Sequence, residues 1–385
     1  MKQPVPYIVT FMVVLVGIFF STNYPKQWGL YALCGKVVAP MVGMLPAITY
    51  HWEFTREELA QANLQGQHAL VTGANSGIGY FLTKGLVELG AASVTLACRD
   101  PMKCNQAAQQ IRDECPDQTK TVLRTLTIDM SSLSSVKRAA EEFVETMNGA
   151  PLDMLFLNAG TMFADMSAEC VPKSEDGIEY VFATNHVGHH LLYRSLEPLL
   201  QKSDMARIVS TSSAASFATY SYRVATDLET LNGCSERIGI PMLRIINYSY
   251  GQSKLAQILW TKELVRRSPY IYANAFHPGG VDTAIIEKAR LQAKASTKLF
   301  YSMVDWGRLV LWNGKDGAHT GLFLGAQQDY LRRHRVLGNY YHPQGHLIMN
   351  PSAEDPHLQK ELWEFSDSLV RDFLPAKSTN NVTNY

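Results

Sequence analysis

The chain has no excess of charge of either sign, because 35 lysines and arginines face 35 aspartates and glutamates among 385 residues. That balance removes the electrostatic footprint of a nucleic-acid binder, and no nucleic-acid partner is expected. It has no Cys-x-x-Cys pair. The six cysteines, Cys34, Cys98, Cys104, Cys115, Cys170 and Cys234, are scattered and lack matching histidine spacing. This speaks against a zinc site, and in a chain of this length against a disulfide framework, so the thiols read as mostly reduced and no metal is expected. The first 52 residues contain no acid and only three charged residues, Lys2, Lys26 and Lys36. They also lack an unbroken run of the ~20 apolar residues that a bilayer crossing needs. Tyr7 to Phe20 is 14 residues long, and the longer stretch Trp28 to Tyr50 is broken by Lys36, Pro40 and Pro46. The first run suits a signal-peptide core, a signal anchor or an interfacial segment, and the second a re-entrant or membrane-surface segment. Residues 1–52 are therefore read as an apolar, membrane-associating segment.

What is present is an alternation of strand and helix patterns. Thr55 followed by Glu58 forms a capping box for a short helix, and a folded domain begins near Gln61. His68-Ala69-Leu70-Val71 reads as a buried strand, followed by Thr72-Gly73-Ala74-Asn75-Ser76-Gly77-Ile78-Gly79 and a helix pattern through Phe81, Leu82, Leu86, Val87 and Leu89. Glycines there permit positive φ and close backbone approach, and a helix start offers free N–H groups to a pyrophosphate. The spacing is Gly-x-x-x-Gly-x-Gly, which differs from the commonest dinucleotide fingerprint. Ser93 to Cys98 is the next strand, with Arg99 and Asp100 at its tip. A guanidinium at this position suits a 2′-phosphate, so NADP is the expected cofactor.

A helix from about Met102 to Cys115 leads to a strand from Val122 to Ile128, then Asp129, which can cap the next helix or accept a bond from adenine. A helix from Val136 to Met147 precedes the strand Asp153 to Leu157 and the small-residue turn Asn158-Ala159-Gly160. Residues Ile178 to Leu200 read as a long helix. His186 and His190 within it have zinc-like spacing without a third ligand, and are taken as ordinary helix histidines. Asn185 stands out, since asparagine is unfavourable inside a helix. Arg207 to Ser213 is a fifth strand running into a serine-rich turn, and Ile271 to Phe276 a sixth, ending in His277-Pro278-Gly279-Gly280. The pattern predicts an α/β, doubly wound Rossmann fold with a parallel sheet, in a single domain that follows the apolar N-terminal extension.

Tyr250 and Lys254 are four residues apart, on one helix face. An ammonium beside a phenol favours the phenolate and equips the tyrosine for proton transfer near neutrality. Tyr80 and Lys84 share that spacing, so the pair gains meaning only from its surroundings. Ser213 lies 37 residues before Tyr250, at a strand end that can open into the same crevice.

Together these residues resemble the short-chain dehydrogenase/reductase family over roughly residues 61–366. Thr72 to Gly79 matches its cofactor loop, Asn158-Ala159-Gly160 its internal turn, and Asn185, Ser213, Tyr250 and Lys254 its catalytic residues. Pro278, Gly279 and Thr283 match the segment that holds nicotinamide and pyrophosphate. Leu157 stands where the family usually has a second asparagine. Ala97-Cys98-Arg99-Asp100, Asn185-His186-Val187-Gly188-His189, His277-Pro278-Gly279, Gly338-Asn339-Tyr340-Tyr341 and Leu362 to Ser366 look like the retinol-dehydrogenase-like branch.

The resemblance implies NADP held by Gly73, Asn75, Ser76, Gly77, Ile78, Gly79, Arg99, Asp129, Asn158, Ala159, Gly160, Tyr250, Lys254, Pro278, Gly279 and Thr283. It implies a proton exchanged by Tyr250, a phenolate favoured by Lys254, which also binds the nicotinamide ribose, a carbonyl oriented by Ser213, and a relay water held by Asn185. The expected activity is hydride transfer between nicotinamide and a lipophilic alcohol or carbonyl, such as a retinoid, steroid or other lipid, at a membrane, with the endoplasmic reticulum the leading site and a homodimer an option. Competing readings are a carbon–carbon double-bond reductase of the protochlorophyllide reductase type and a non-catalytic NADP-binding scaffold. Residues 53–366 are assigned to the enzyme domain, 285–312 within it to an apolar substrate lid, and 367–385 to a polar C-terminal tail.

Overall fold

The computed structural model describes residues 52–118, 120–162, 172–218, 224–233, 249–281 and 312–374. The N-terminal runs, Thr283, the lid up to residue 311 and the tail from residue 375 lie outside the described residues. Among the described residues no helix is long and apolar enough to cross a membrane.

The elements follow in order α1 (Arg56–Leu59), β1 (His68–Thr72), α2 (Gly77–Glu88), β2 (Ser93–Cys98), α3 (Pro101–Glu114), β3 (Val122–Thr127), α4 (Leu133–Met147) and β4 (Met154–Leu157). After them come α5 (Gly188–Leu200), β5 (Arg207–Thr211), α6 (Gly251–Arg267), β6 (Tyr272–Phe276), α7 (Gly314–Ala326), β7 (Tyr340–Tyr341), β8 (Leu347–Ile348) and α8 (Pro356–Val370). One eight-stranded sheet runs β3-β2-β1-β4-β5-β6-β7-β8. Every pair is parallel except the last, β7 with β8, which is antiparallel. The expected six-strand parallel sheet thus gains two strands and one reversed edge. Strand order reverses between β1 and β4, where a doubly wound sheet opens a crevice at its carboxyl edge.

Strands β2, β4 and β5 are buried at every residue because helices cover both sheet faces, which is why they read as apolar runs without alternation. One face packs through Phe143, Leu191, Leu259 and Trp363 onto α4, α5, α6 and α8; the other packs through Leu82, Leu86, Ile111 and Phe323 onto α2, α3 and α7. The capping box at Thr55 and Glu58 is present as expected. Phe54 stacks on Phe323 at 4.1 Å between ring centroids, so the packed body starts before Gln61. At the other end α8 continues through Val370, which is fully buried, four residues beyond the expected end of the domain.

Two local expectations are corrected. Ser132, not Asp129, caps α4, accepting from the Ser135 main-chain N–H. Asp129 turns back onto Ser131, accepting from its N–H at 2.9 Å and its hydroxyl at 2.7 Å. Cys98 and Cys104 form a disulfide instead of standing as free thiols. The strand end and the first turn of α3 fold back on one another there, which brings two cysteines six residues apart into bonding range.

Candidate active site

The carboxyl ends of β1, β4, β5 and β6 bring the candidate residues to one edge. In the glycine loop, Gly73 has φ +66° and donates its N–H to Ala97 O at 2.7 Å. A Cβ on Gly79 would collide with Gly73 O and stand 2.6 Å from Asn158 Nδ2, so the loop and the Asn158 turn close on each other only because that carbon is missing. Ser76 is the N-cap of α2 but its side chain caps nothing, and the first turn carries no acid. The positive end of the helix dipole and its first N–H groups are thereby left for an anion, the arrangement that a dinucleotide pyrophosphate requires. Asn75, Gly77 and Ile78 complete this loop.

Thr72 organises the centre. Its hydroxyl accepts from the N–H groups of Asn158 and Ala159 (both 2.9 Å) and shares its one proton between Phe156 O (3.1 Å) and His189 Nε2 (3.0 Å). Asn158 spans strands, its Nδ2 donating to Thr72 O at 2.9 Å and its Oδ1 accepting from Thr211 Oγ1 at 3.3 Å.

Asn185 sits in a π-helical turn, Ala183–Val187, that interrupts the helix before α5. Such turns re-aim side chains and are frequent at functional sites. Its Oδ1 accepts from Thr161 N–H at 2.8 Å, and its Nδ2 donates to Thr161 O at 3.0 Å and Ser253 Oγ at 2.9 Å. The sequence liability of an asparagine in a helix is answered by these bonds. The next helix positions carry its support. His189 joins Asn185 O (Nδ1, 2.9 Å) to Thr72 Oγ1 (Nε2, 3.0 Å), while His186 and His190 meet Ser366 and Asp367 of α8, each at 2.8 Å. All three rings therefore have protein partners, as ordinary helix histidines should.

Tyr250 enters α6 and Lys254 follows one turn later, with Nζ 5.6 Å from the phenol ring centroid. Nζ donates to Thr211 O at 2.8 Å, and a Cβ on Gly160 would stand 3.4 Å from it. Burial moves both groups toward their neutral forms. It raises the Tyr250 phenol, with a bond from Ser213 pulling the other way, and brings Lys254 down to about 7. The phenolate expected beside an ammonium is thus not favoured here, because desolvation is the largest influence on both groups. Ser213 is held by its backbone, whose carbonyl accepts from Tyr340 Oη at 3.1 Å. Tyr80 lies on α2, where burial holds its phenol above the usual range and its neighbour is Glu114, not the Ser213 edge.

Arg99 is exposed at the tip of β2, its Nη1 donating to Tyr180 Oη at 3.2 Å. Asp100 is the N-cap of α3, accepting from Met102 and Lys103 N–H, so its carboxylate is already committed. Gly279 takes φ +84° after Pro278 and donates its N–H to His277 Nδ1 at 3.0 Å. Sequence reasoning missed His189, one turn from Asn185, Gln257, one turn from Lys254, and Ser253, the neighbour of Lys254 that bonds Asn185 Nδ2. Only their helical spacing from named residues could have marked them.

A model of the short chain dehydrogenase family matches residues 67–225. Retinol dehydrogenase 14 of Mus musculus is 32% identical over 316 residues, spanning 80% of this chain and 86% of its own. The chain belongs to the short-chain dehydrogenase/reductase family, a family of nicotinamide-dependent oxidoreductases. Within it the chain is retinol-dehydrogenase-like, since retinol dehydrogenase 13 of Homo sapiens is also 30% identical over 313 residues, covering 81% of this chain and 86% of that one. A short-chain dehydrogenase of Shigella flexneri, crystallised with NADP, shares the fold with a TM-score of 0.52 at 24% identity over 73% of this chain and 98% of its own.

Proposed function

We propose that this protein transfers hydride between NADP and a lipophilic alcohol or carbonyl, with a retinoid as the first candidate, at a membrane. The observation that carries the chemistry is Lys254 Nζ lying 5.6 Å from the Tyr250 ring centroid at the edge where β5 ends, with Ser213 there acting to lower the phenol's pKa against burial. In reduction Tyr250 Oη gives its proton to the carbonyl oxygen, and in oxidation it removes one from the alcohol. Ser213 Oγ orients that oxygen, and the Lys254 ammonium stabilises the phenolate left when Tyr250 gives up its proton. The bound nicotinamide supplies or accepts the hydride.

The glycine loop, Asn158 to Gly160, Pro278 and Gly279 would hold the dinucleotide, and the family resemblance assigns Asp129 to adenine and Thr283 to the nicotinamide end. The preference for NADP rests on Arg99 together with the commitment of Asp100 to its helix. The lipophilic substrate is supported by the names of the retinol dehydrogenase relatives, and membrane attachment, with the endoplasmic reticulum as the leading site, by the acid-free residues 1–52.

The test is full-length protein in detergent, with NADPH or NADH and a panel of retinal, a steroid ketone and a fatty aldehyde, and Tyr250→Phe as the control. Loss of NADPH absorbance with one class, abolished in the variant, is the expected result. Turnover that survives Tyr250→Phe sinks the catalytic assignment.

A further inference from the structure

Gln257 lies on α6, one turn beyond Lys254, and is 3% exposed. Both ends of its carboxamide are used. Nε2 donates to the main-chain oxygen of Asn185 at 2.9 Å, and Oε1 accepts from Lys254 Nζ at 3.3 Å. A carboxamide has one accepting and one donating end, so a single uncharged group serves an ammonium and a carbonyl at once. Asn185 O also receives His189 Nδ1 at 2.9 Å, which fills both of its lone pairs.

The protonated lysine has three donor hydrogens. Thr211 O takes one at 2.8 Å and Gln257 Oε1 a second, so the third is directed by the other two and left for whatever occupies the site. The groups around Nζ make this acceptor matter. Its own helix supplies Tyr250, α5 supplies His189, whose proton the lysine charge disfavours, and the end of β5 supplies the Thr211 carbonyl. The Ser212 hydroxyl is spent on Lys254 O at 2.7 Å. None of these is an acid, so Gln257 is the side-chain acceptor of the ammonium among the described residues.

The geometry points to Gln257 as a positioning residue that fixes the direction of Lys254 Nζ and ties it to the π turn of Asn185. It touches no reacting atom and acts through the lysine. The inference rests on the reading of Lys254 as the residue that meets the nicotinamide ribose.

The experiment is NADPH fluorescence titration of the full-length chain from about pH 6 to about pH 10, in wild type, Gln257→Met, Gln257→Glu, Lys254→Met and the Gln257→Met/Lys254→Met double variant. Gln257→Met loses both bonds and weakens NADPH binding about tenfold, and that loss vanishes when Lys254 is already methionine. Gln257→Glu is nearly isosteric and sets a carboxylate against the ammonium, so the pH at which affinity falls moves upward by about one unit or more. A glutamine that only fills space would show no coupling to Lys254. Independent, additive losses in the double variant overturn the proposal, as does an unmoved midpoint in Gln257→Glu or NADPH binding absent at every pH. Should Gln257→Met fail to fold, Gln257→Leu in the same cycle with Lys254→Met decides. Coupled NADPH binding without turnover of any carbonyl would sink the functional reading and leave this one standing.

Discussion

Thr72 and His189 meet side chain to side chain at 3.0 Å, joining the strand that launches the glycine loop to the helix that carries Asn185. The histidine is the only side chain seen to touch both the loop strand and the Asn185 carbonyl among the described residues. His189→Phe leaves the Asn185 carbonyl one donor short and the Thr72 hydroxyl without its ring partner, which costs about 1–3 kcal/mol. Thermal unfolding should show the drop, together with weaker NADPH binding, and His189→Gln should recover part of both.

The same ring sets an acid limit. Burial lowers His189 from 6.5 to about 4, and His186, His190 and His277 are lowered from the same value by the same cause. Between those pH values the unfolded chain binds protons that the folded protein refuses, so stability present at neutral pH is lost as pH falls through this window. The melting temperature should fall across it, and less steeply in His189→Gln. Equal slopes in the two proteins would remove His189 from the account.

Gly79→Ala tests the closeness of the cofactor loop to Asn158. The added methyl meets Gly73 O and the Asn158 amide, backbone on one side and a doubly bonded side chain on the other. Neither can yield freely, and the cost should be about 1–3 kcal/mol with a matching loss of NADPH affinity in a titration. Unchanged affinity would mean that the loop does not hold the dinucleotide in this geometry.

Arg99 and Asp100 are neighbours with separable tasks. Arg99→Ala should weaken NADPH about tenfold and leave NADH unaltered, because only the former carries the phosphate that a guanidinium can grip. Asp100→Ala removes the cap of α3 and should cost about 1 kcal/mol of stability with the NADPH-to-NADH ratio kept. Affinities for both cofactors and the two melting curves check these outcomes together.

Lys254 burdens the fold that it serves. Its folded value of about 7 lies below the ordinary 10.5, so between those limits the unfolded chain holds a proton that the folded chain has released. The destabilisation is complete below about 7 and fades as pH rises toward 10.5. Lys254→Met should therefore melt above wild type at mildly acidic pH while losing turnover, with the two curves converging as pH rises. Calorimetry across that range would show it.

The residues that could be read in the sequence were those whose chemistry is local. A glycine at a strand–helix corner, an asparagine inside a helix and a tyrosine four residues before a lysine each carry a physical signal without their partners. The supporting residues carry none. His189 and Gln257 have meaning only once α5 and α6 pack side by side, which single-residue propensities do not contain. Strands β7 and β8 have two residues each, too short to show periodicity, and owe their existence to the free edge of β6. Asp129 has a residue type that suits the cap of α4, but hydrogen bonding, which residue type does not fix, gives that place to Ser132. The Cys98–Cys104 bond depends on how tightly a corner turns, which spacing alone leaves open.

Helix α8 is the last helix described, yet Ser366 and Asp367 grip His186 and His190, on either side of the residue that bridges Asn185 to Thr72. Asp367 also holds Arg194 and accepts from Trp363 Nε1 at 3.1 Å. A reading frame interrupted late, after every catalytic codon has been translated, would still strip the support from the asparagine turn. A stop codon before Ser366 should therefore behave as a loss of the enzyme and not as a harmless trimming.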